Sequence, residues 1–556
     1  MRRLLLWLGL PAVLAALSLL AIASGGDGPR GDGGTASRDI AAVGPADVAQ
    51  LGTAGVAQLG TAGVAPAGPL VDPGSPRPKL PRRPSTVLII MDEFPIDALL
   101  GPHGRIDRAR YPNFAALAAG STWFPNATTV YDSTTRAVPE VLDGRLPRRG
   151  GNATYRSHPR SIYDLFGERG YRIVSSEEAT SICPPRHCPG ADRNRPKILP
   201  KLRSGRRERL ERFIGAIRGG RPGFYVKHVL LPHGPYLFLP SGRQMRSSWH
   251  DPVPGMNSPK GFGDRFLTNH NQQRMLLQIG FVDRELGKLF AQMRREGILD
   301  TSMIVVTADH GMAFEVGVDS RRTVSRSNVD ELAPVPLFVK APGQRRRRTV
   351  RSYVRTIDVA PTIADVLDLK LPYRADGRSA FSRAVRRRRS VRVIERNFSG
   401  TITVSARAMA RRRRALVRRR LRLFGSGDLG TLYTGIGPNR RLLGRRTEKL
   451  RIAPLGTIRA AIVGAALMRE VDPGASVLPS QIGGRIRGGR RGATRAVAVA
   501  VNGRIEAVGR SFHLRGSRAE GYAVMVPEAA MKPGRNSVEV FEVTRGGAAL
   551  RLIGRT

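Results

Sequence analysis

Two short runs of β-branched and apolar residues, each leading straight into an acidic residue, constrain this chain more than any other feature. TVLIIM (86–91) runs into Asp92, and SMIVVT (302–307) runs into Ala308, Asp309 and His310. Runs of this kind, apolar on both faces, belong to strands buried in a parallel sheet. FYVKHVLL (224–231) is a third. Helical patterns lie around 111–120 and 161–169, and a long amphipathic one covers 271–297. Strands alternating with helices predict an α/β unit with a mostly parallel central sheet sandwiched by helices. In open sheets of this class ligands gather at the carboxyl ends of the strands. Asp92 and the Asp309–His310 pair fall at two such ends, so two carboxylates and an imidazole are expected to meet. That mixed oxygen and nitrogen donor set suits a divalent metal ion. Taken singly, an aspartate such as Asp92 is more often a helix cap or a loop residue.

The chain has 556 residues, more than one core organises, so several domains are expected. Residues 1–24 pair Arg2 and Arg3 with an uncharged apolar run, Leu4 to Ala23. As a helix this run is long enough to span a bilayer with the catalytic part outside. It is read as a transmembrane anchor, with a cleavable signal peptide as the alternative on the Ala21-Ile22-Ala23 pattern. Residues 25–84 are rich in Gly, Ala and Pro, repeat VAQLGTAG at 48–55 and 56–63, and read as a tether. Residues 85–395 form the expected catalytic unit, 396–474 a basic connecting segment with a helix over 405–423, and 475–556 a small β-sandwich. The β-sandwich is expected from short alternating runs separated by Asn-Gly and Gly-Arg-Asn turns.

The two cysteines, Cys183 and Cys188 in CPPRHC, read as a disulfide in an exported protein; His187 alone gives little support to a zinc site. The formal net charge of +48 is nearly all arginine. Export argues against a nucleic-acid partner. A solvated arginine-rich surface is the plain reading, and attraction to anionic lipid headgroups or envelope polymers is the functional one.

The segment FPNATTVYDSTTRAVPEVLDGR (124–145) resembles the signature of the sulfatase-like, alkaline-phosphatase superfamily. Asn126 stands eight residues before Thr134 and Arg145 eleven after it, which places Thr134 in the nucleophile position. HVLLPHGPY (228–236), TADHG (307–311), VPLFVKAPG (335–343) and RTIDVAPTIADVL (355–367) follow in the family's order. The chain departs from true sulfatases at Thr134-Thr135-Arg136-Ala137-Val138, where the Cys or Ser, the Pro and the Arg of the formylglycine motif are missing. A threonine there resembles the phosphotransferase branch, the lipoteichoic-acid synthases and phosphoethanolamine transferases. Ser133 and Thr135 are the fallback nucleophiles, and an ordinary helix N-cap is the plain reading of Thr134.

The resemblance implies one divalent ion (Mn, Mg, Ca or Zn) held by Asp92, Asp309, His310 and the Thr134 oxygen. Two-metal relatives need further ligands; here Val229 stands four before His233, and His513 is the one histidine after His310. His233 resembles the substrate-side histidine that orients the ester or protonates the leaving group, and Arg136 adds charge toward the transferring group. His228 reads as structural. Glu93 is either a second carboxylate ligand or turned away by strand alternation. The expected activity is hydrolysis or transfer of phosphate (or sulfate) esters outside the cytoplasm, at the cell membrane or secreted. The alternative is a non-catalytic binder of envelope polyanions on the same scaffold.

Overall fold

The computed structural model describes Leu70 and residues 78–190, 196–246, 250–317 and 322–556. The anchor or signal peptide expected at 1–24, and the tether apart from Leu70 and residues 78–84, lie outside the described residues. No helix among the described residues is long and apolar enough to cross a membrane. Leu70 is buried, with its carbonyl accepting from the Arg294 guanidinium at 3.2 Å.

The central sheet has seven strands: β1 (Thr86–Asp92), β2 (Thr122–Trp123), β3 (Arg172–Ser176), β4 (Gly223–Pro232), β5 (Met303–Ala308), β6 (Leu337–Lys340) and β7 (Arg348–Thr349). Their order is β3-β4-β1-β5-β6-β2-β7. β3, β4, β1 and β5 pair in parallel, and β6 runs against both β5 and β2. Every residue of β1, β4 and β5 is buried, which is why these strands read as largely apolar runs rather than alternating ones, with Lys227 and His228 the polar exceptions on β4.

The helices that matter for the site are α1 (Pro112–Ala119), α2 (Thr134–Asp143), α3 (Ile162–Gly167), α4 (Ile198–Arg203), α5 (Arg206–Gly215), α6 (Arg265–Arg295) and α7 (Ala406–Phe424). Alternate residues of β4 serve opposite faces of the sheet. Phe224 stacks on Phe166 of α3 at 4.0 Å between ring centroids. On the other face Val229 and Leu231 meet Leu210 and Ile214 of α5 and Val282 and Leu286 of α6. Asp264 caps α6, its carboxylate accepting from Leu267 N at 2.9 Å.

The C-terminal region forms two four-stranded antiparallel sheets. One orders Arg459–Ala460, Gln481–Arg487, Glu520–Met525 and Phe512–His513; the other orders Arg504–Arg510, Ala496–Val501, Val538–Thr544 and Ala549–Arg555. Val497, Val499 and Tyr522 share one apolar cluster with Leu88 and Ile90 of β1. The hairpin Ser390–Ile394 with Thr401–Ser405 straddles residue 395. Within the arginine-rich segment, Arg420 of α7 is buried and donates to the Leu100 carbonyl, and Arg413 donates to Pro125 O. Part of the arginine excess therefore ties elements together inside the protein rather than facing water. Cys183 and Cys188 form the expected disulfide, with Cα atoms 6.0 Å apart.

Candidate active site

Parallel pairing sets the site. Met91 lies in register with Ala308 and with Val229, so Asp92 and Asp309 leave the sheet side by side and the His233 loop leaves it next to them. Asp309 N donates to Met91 O at 2.9 Å, locking the two strand ends together. Gly311 follows His310 where a side chain has no room: a Cβ would collide with the Glu331 carbonyl. Its N–H donates to Leu332 O at 2.8 Å.

Asp92, Asp309 and His310 are all buried, and one potential ligand atom from each lies within 4.8 Å of the other two. His310 Nδ1 faces the Gly311 carbonyl at 2.8 Å, so the proton sits on Nδ1 and the Nε2 lone pair faces the cluster. Thr134 is the first residue of α2 and brings its hydroxyl to 3.3 Å from Asp92 Oδ1 and 3.3 Å from His310 Nε2. The N-cap position belongs to Ser133. The Ser133 and Thr135 hydroxyls face one another at 3.4 Å. Of the three candidate nucleophiles, Thr134 is the one whose hydroxyl meets the acidic cluster.

Burial, then the charges of Asp309 and Glu93, push the Asp92 carboxyl well above the usual carboxylate range; His310 and Arg322 oppose this only in part. Burial also raises Asp309, to about 7, against hydrogen bonds from Thr134 and from the His310 and Glu93 N–H groups. Asp309 Oδ1 accepts from those two N–H groups at 2.6 and 3.2 Å. Its Oδ2 is buried without a partner of ordinary hydrogen-bond geometry among the described residues, 3.5 Å from His310 Nε2. Two buried carboxylates, one with an unspent oxygen, and an imidazole lone pair converge on one point. This donor set fits a divalent cation.

Glu93 takes neither expected course cleanly. Its φ of 57° breaks the strand alternation, and its carboxylate meets His233 Nε2 at 3.3 Å and Arg322 Nε at 3.3 Å. Arg322 Nη1 also lies 3.2 Å from His233 Nε2. The His233 loop is clamped from below. Arg206 donates to the His233 and Pro235 carbonyls at 2.7 and 2.6 Å, and Gln278 Nε2 donates to those of Pro232 and His233 at 2.9 and 3.1 Å. Arg136 engages the Gly151 carbonyl and lies 5.9 Å from the Phe398 ring centroid. The cation that meets the site's acids is Arg322, which the sequence reading missed. His228 is fully buried on β4, with neither ring nitrogen hydrogen-bonded among the described residues. His513 sits in the C-terminal sheet, facing Ala493 O at 3.1 Å.

Residues 205–369 match the sulfatase family, a stretch that takes in His233, Asp309 and His310 and stops short of Asp92 and Thr134. Arylsulfatase K of Bos taurus is 30% identical over 98 residues, 18% of this chain and 18% of that protein. Lipoteichoic acid synthase 2 of Bacillus subtilis (strain 168) is 30% identical over 115 residues, 19% of this chain and 16% of its own. The chain thus spans about a fifth of the length of the curated relatives it matches. Among solved structures, phosphonate monoester hydrolase SpPMH from Silicibacter pomeroyi is similar at a TM-score of 0.41 and 17% identity, over 61% of this chain and 96% of that chain.

Proposed function

For a chain that is a sulfatase-like member of the alkaline-phosphatase superfamily, we propose a metal-dependent ester hydrolase or transferase that works through a covalent Thr134 intermediate. The observation that carries this reading is the Thr134 hydroxyl, 3.3 Å from both Asp92 and His310 inside the acidic cluster. Asp92, Asp309, His310 and Thr134 Oγ1 would hold one divalent cation. Such an ion lowers the pKa of a coordinated hydroxyl and stabilises charge on the transferring group. Thr134 Oγ1, its proton released to water, attacks the phosphorus; the phosphorus–oxygen bond to the leaving alcohol breaks as the new ester forms, and the departing oxygen takes a proton from His233. Water or an acceptor alcohol then releases the group from Thr134. The first turn of α2 begins at Thr134, so its N–H groups and helix dipole favour an anion beside the hydroxyl.

His233 is the general acid for the leaving alcohol, oriented by Glu93 and held on a clamped loop. Arg322 offsets the Glu93 charge and adds a positive group at the rim, where it is 45% exposed. Phosphate esters come before sulfate esters because Thr134-Thr135-Arg136-Ala137-Val138 carries no formylglycine motif. The Cys183–Cys188 disulfide supports work outside the cytoplasm, and the apolar run at 4–23 supports a membrane anchor or an export signal. The test is a panel of nitrophenyl phosphate, phosphodiester and sulfate esters, each with Mn²⁺, Mg²⁺, Ca²⁺ or Zn²⁺. Turnover of a phosphate ester together with a phosphothreonine at Thr134 in quenched samples is expected. Turnover of the sulfate alone would reverse the order of substrates, and turnover of none would leave the polyanion-binding reading in its place.

A further inference from the structure

A cavity of about 420 Å³ opens beside the His233 loop. Its apolar walls come from Leu199 and Leu202 on α4, Pro235 and Tyr236 after His233, Phe262, and Met312 two residues beyond His310. The Tyr236 hydroxyl donates to Met312 Sδ at 2.8 Å, tying the His233 and His310 loops into one wall. The cavity lining thus reaches Gly234, the residue after His233, and Met312, two residues after His310, which sets it beside the two loops that carry the site histidines. Its volume lies in the range of small-molecule sites.

Of its polar lining, Asp251, Ser258 and the two asparagines are turned to protein partners, and Arg203 and His250 are exposed to solvent. The Asn257 and Asn271 side-chain oxygens both accept from the buried Arg274, and Asn257 Nδ2 donates to Asp251. A polyol or sugar would need unspent donors and acceptors here, because polar groups buried without partners oppose binding. An apolar group asks only for removal from water.

We propose that this cavity receives the apolar alcohol portion of the substrate, an alkyl or aryl group. The enzyme then acts on anionic esters of apolar alcohols, a conclusion that rests on the ester chemistry proposed above. Leu199 and Leu202 are the specificity-determining residues at the rim; Leu199 is 58% exposed.

The test is calorimetric titration of the full chain with ethyl-, butyl-, hexyl- and phenylphosphonate, whose C–P bonds stand in for the scissile ester. Affinity should rise at least tenfold from ethyl to hexyl; full burial of the four added methylenes, at roughly fourfold each, would give about 250-fold. Phenylphosphonate should bind more tightly than ethylphosphonate; if only the alkyl series gains, the occupant is an alkyl chain. In the uncharged double variant Leu199→Gln/Leu202→Gln, the ratio of hexyl- to ethylphosphonate affinity should fall at least threefold below that of the wild type. A flat wild-type series, no binding at all, or tighter binding of 2,3-dihydroxypropylphosphonate than of butylphosphonate overturns the proposal. A rising series without turnover of the matching phosphate esters leaves the cavity assignment standing and removes the reaction. Turnover indifferent to chain length does the reverse.

Discussion

Two buried charged clusters lie on the same sheet, and they differ in how their charge is met. On β4 and the loop after β3, Lys227 Nζ reaches Glu178 at 2.5 Å and Ser176 at 2.9 Å, and Arg209 of α5 reaches Glu178 at 2.8 Å. Burial pushes the Glu178 carboxyl up, yet the Lys227 charge and the Arg209 hydrogen bond outweigh it and hold the carboxyl below its ordinary value. Burial pulls Lys227 down as well, but Glu178 opposes that shift, and the ionised pair is the state these hydrogen bonds support. At the neighbouring strand ends Asp92 and Asp309 are raised instead, first by burial and then by nearby carboxylate charge (Asp309 and Glu93 acting on Asp92, Glu93 on Asp309) that too little positive charge offsets. A self-neutralised cluster supports the fold. A cluster that stores unmatched negative charge is one that a cation completes.

The largest expected effect falls on the second cluster alone. Thr134→Ala should lower kcat by at least about 10³-fold while shifting the thermal midpoint by no more than a few degrees, because the residue starts a helix and is only partly buried. Steady-state kinetics and a thermal melt on the same preparation check it. A similar loss from Lys227→Met in a fully folded preparation would erase the distinction between the clusters. That variant is instead expected to cost about 3–5 kcal/mol by leaving Glu178 short of a partner, with kcat of the folded fraction kept. Denaturant titration measures it.

A smaller effect concerns the metal-free protein. Asp309 has a folded pKa raised from 3.8 to about 7. The folded state then binds more protons than the unfolded one across this window, so this carboxyl's contribution is greatest below pH 3.8 and is lost as pH rises toward 7. Chelated protein should therefore gain stability near pH 7 from Asp309→Asn, whereas metal-loaded protein should lose it. Melts of both variants with and without EDTA give the comparison.

The smallest effect at neutral pH concerns His228, which follows Lys227 on β4. Burial lowers its pKa from 6.5 to about 3. Its share of stability is complete above pH 6.5 and falls as pH drops toward 3, by about 1.4 kcal/mol per pH unit at most. His228→Gln should flatten the acid limb of the stability curve and leave the neutral plateau nearly unchanged.

The strands and their acidic ends were legible because a doubly buried parallel strand is apolar for most of its length, and Asp92 and Asp309 end such runs abruptly. Thr134 was legible through its spacing from Asn126 and Arg145. Arg322 was not, since it sits among many arginines, and its proximity to Glu93 depends on a loop rather than on periodicity. Glu93 misled because alternation assumes an extended backbone, and its positive φ removes that assumption. The cavity residues span 199 to 312 on four separate stretches, and no local pattern joins them. The basic segment read as a connector, yet Arg420 and Arg413 are spent on backbone carbonyls inside the body; long arginine side chains can bury their stems while serving such carbonyls.

Metal stoichiometry is the most direct test of the account. Elemental analysis of the purified wild-type protein, beside the Asp92→Asn/Asp309→Asn double variant, should find about one divalent ion per chain in the first and none in the second. Equal metal content in both, or a folded and active wild type carrying no ion, would contradict it.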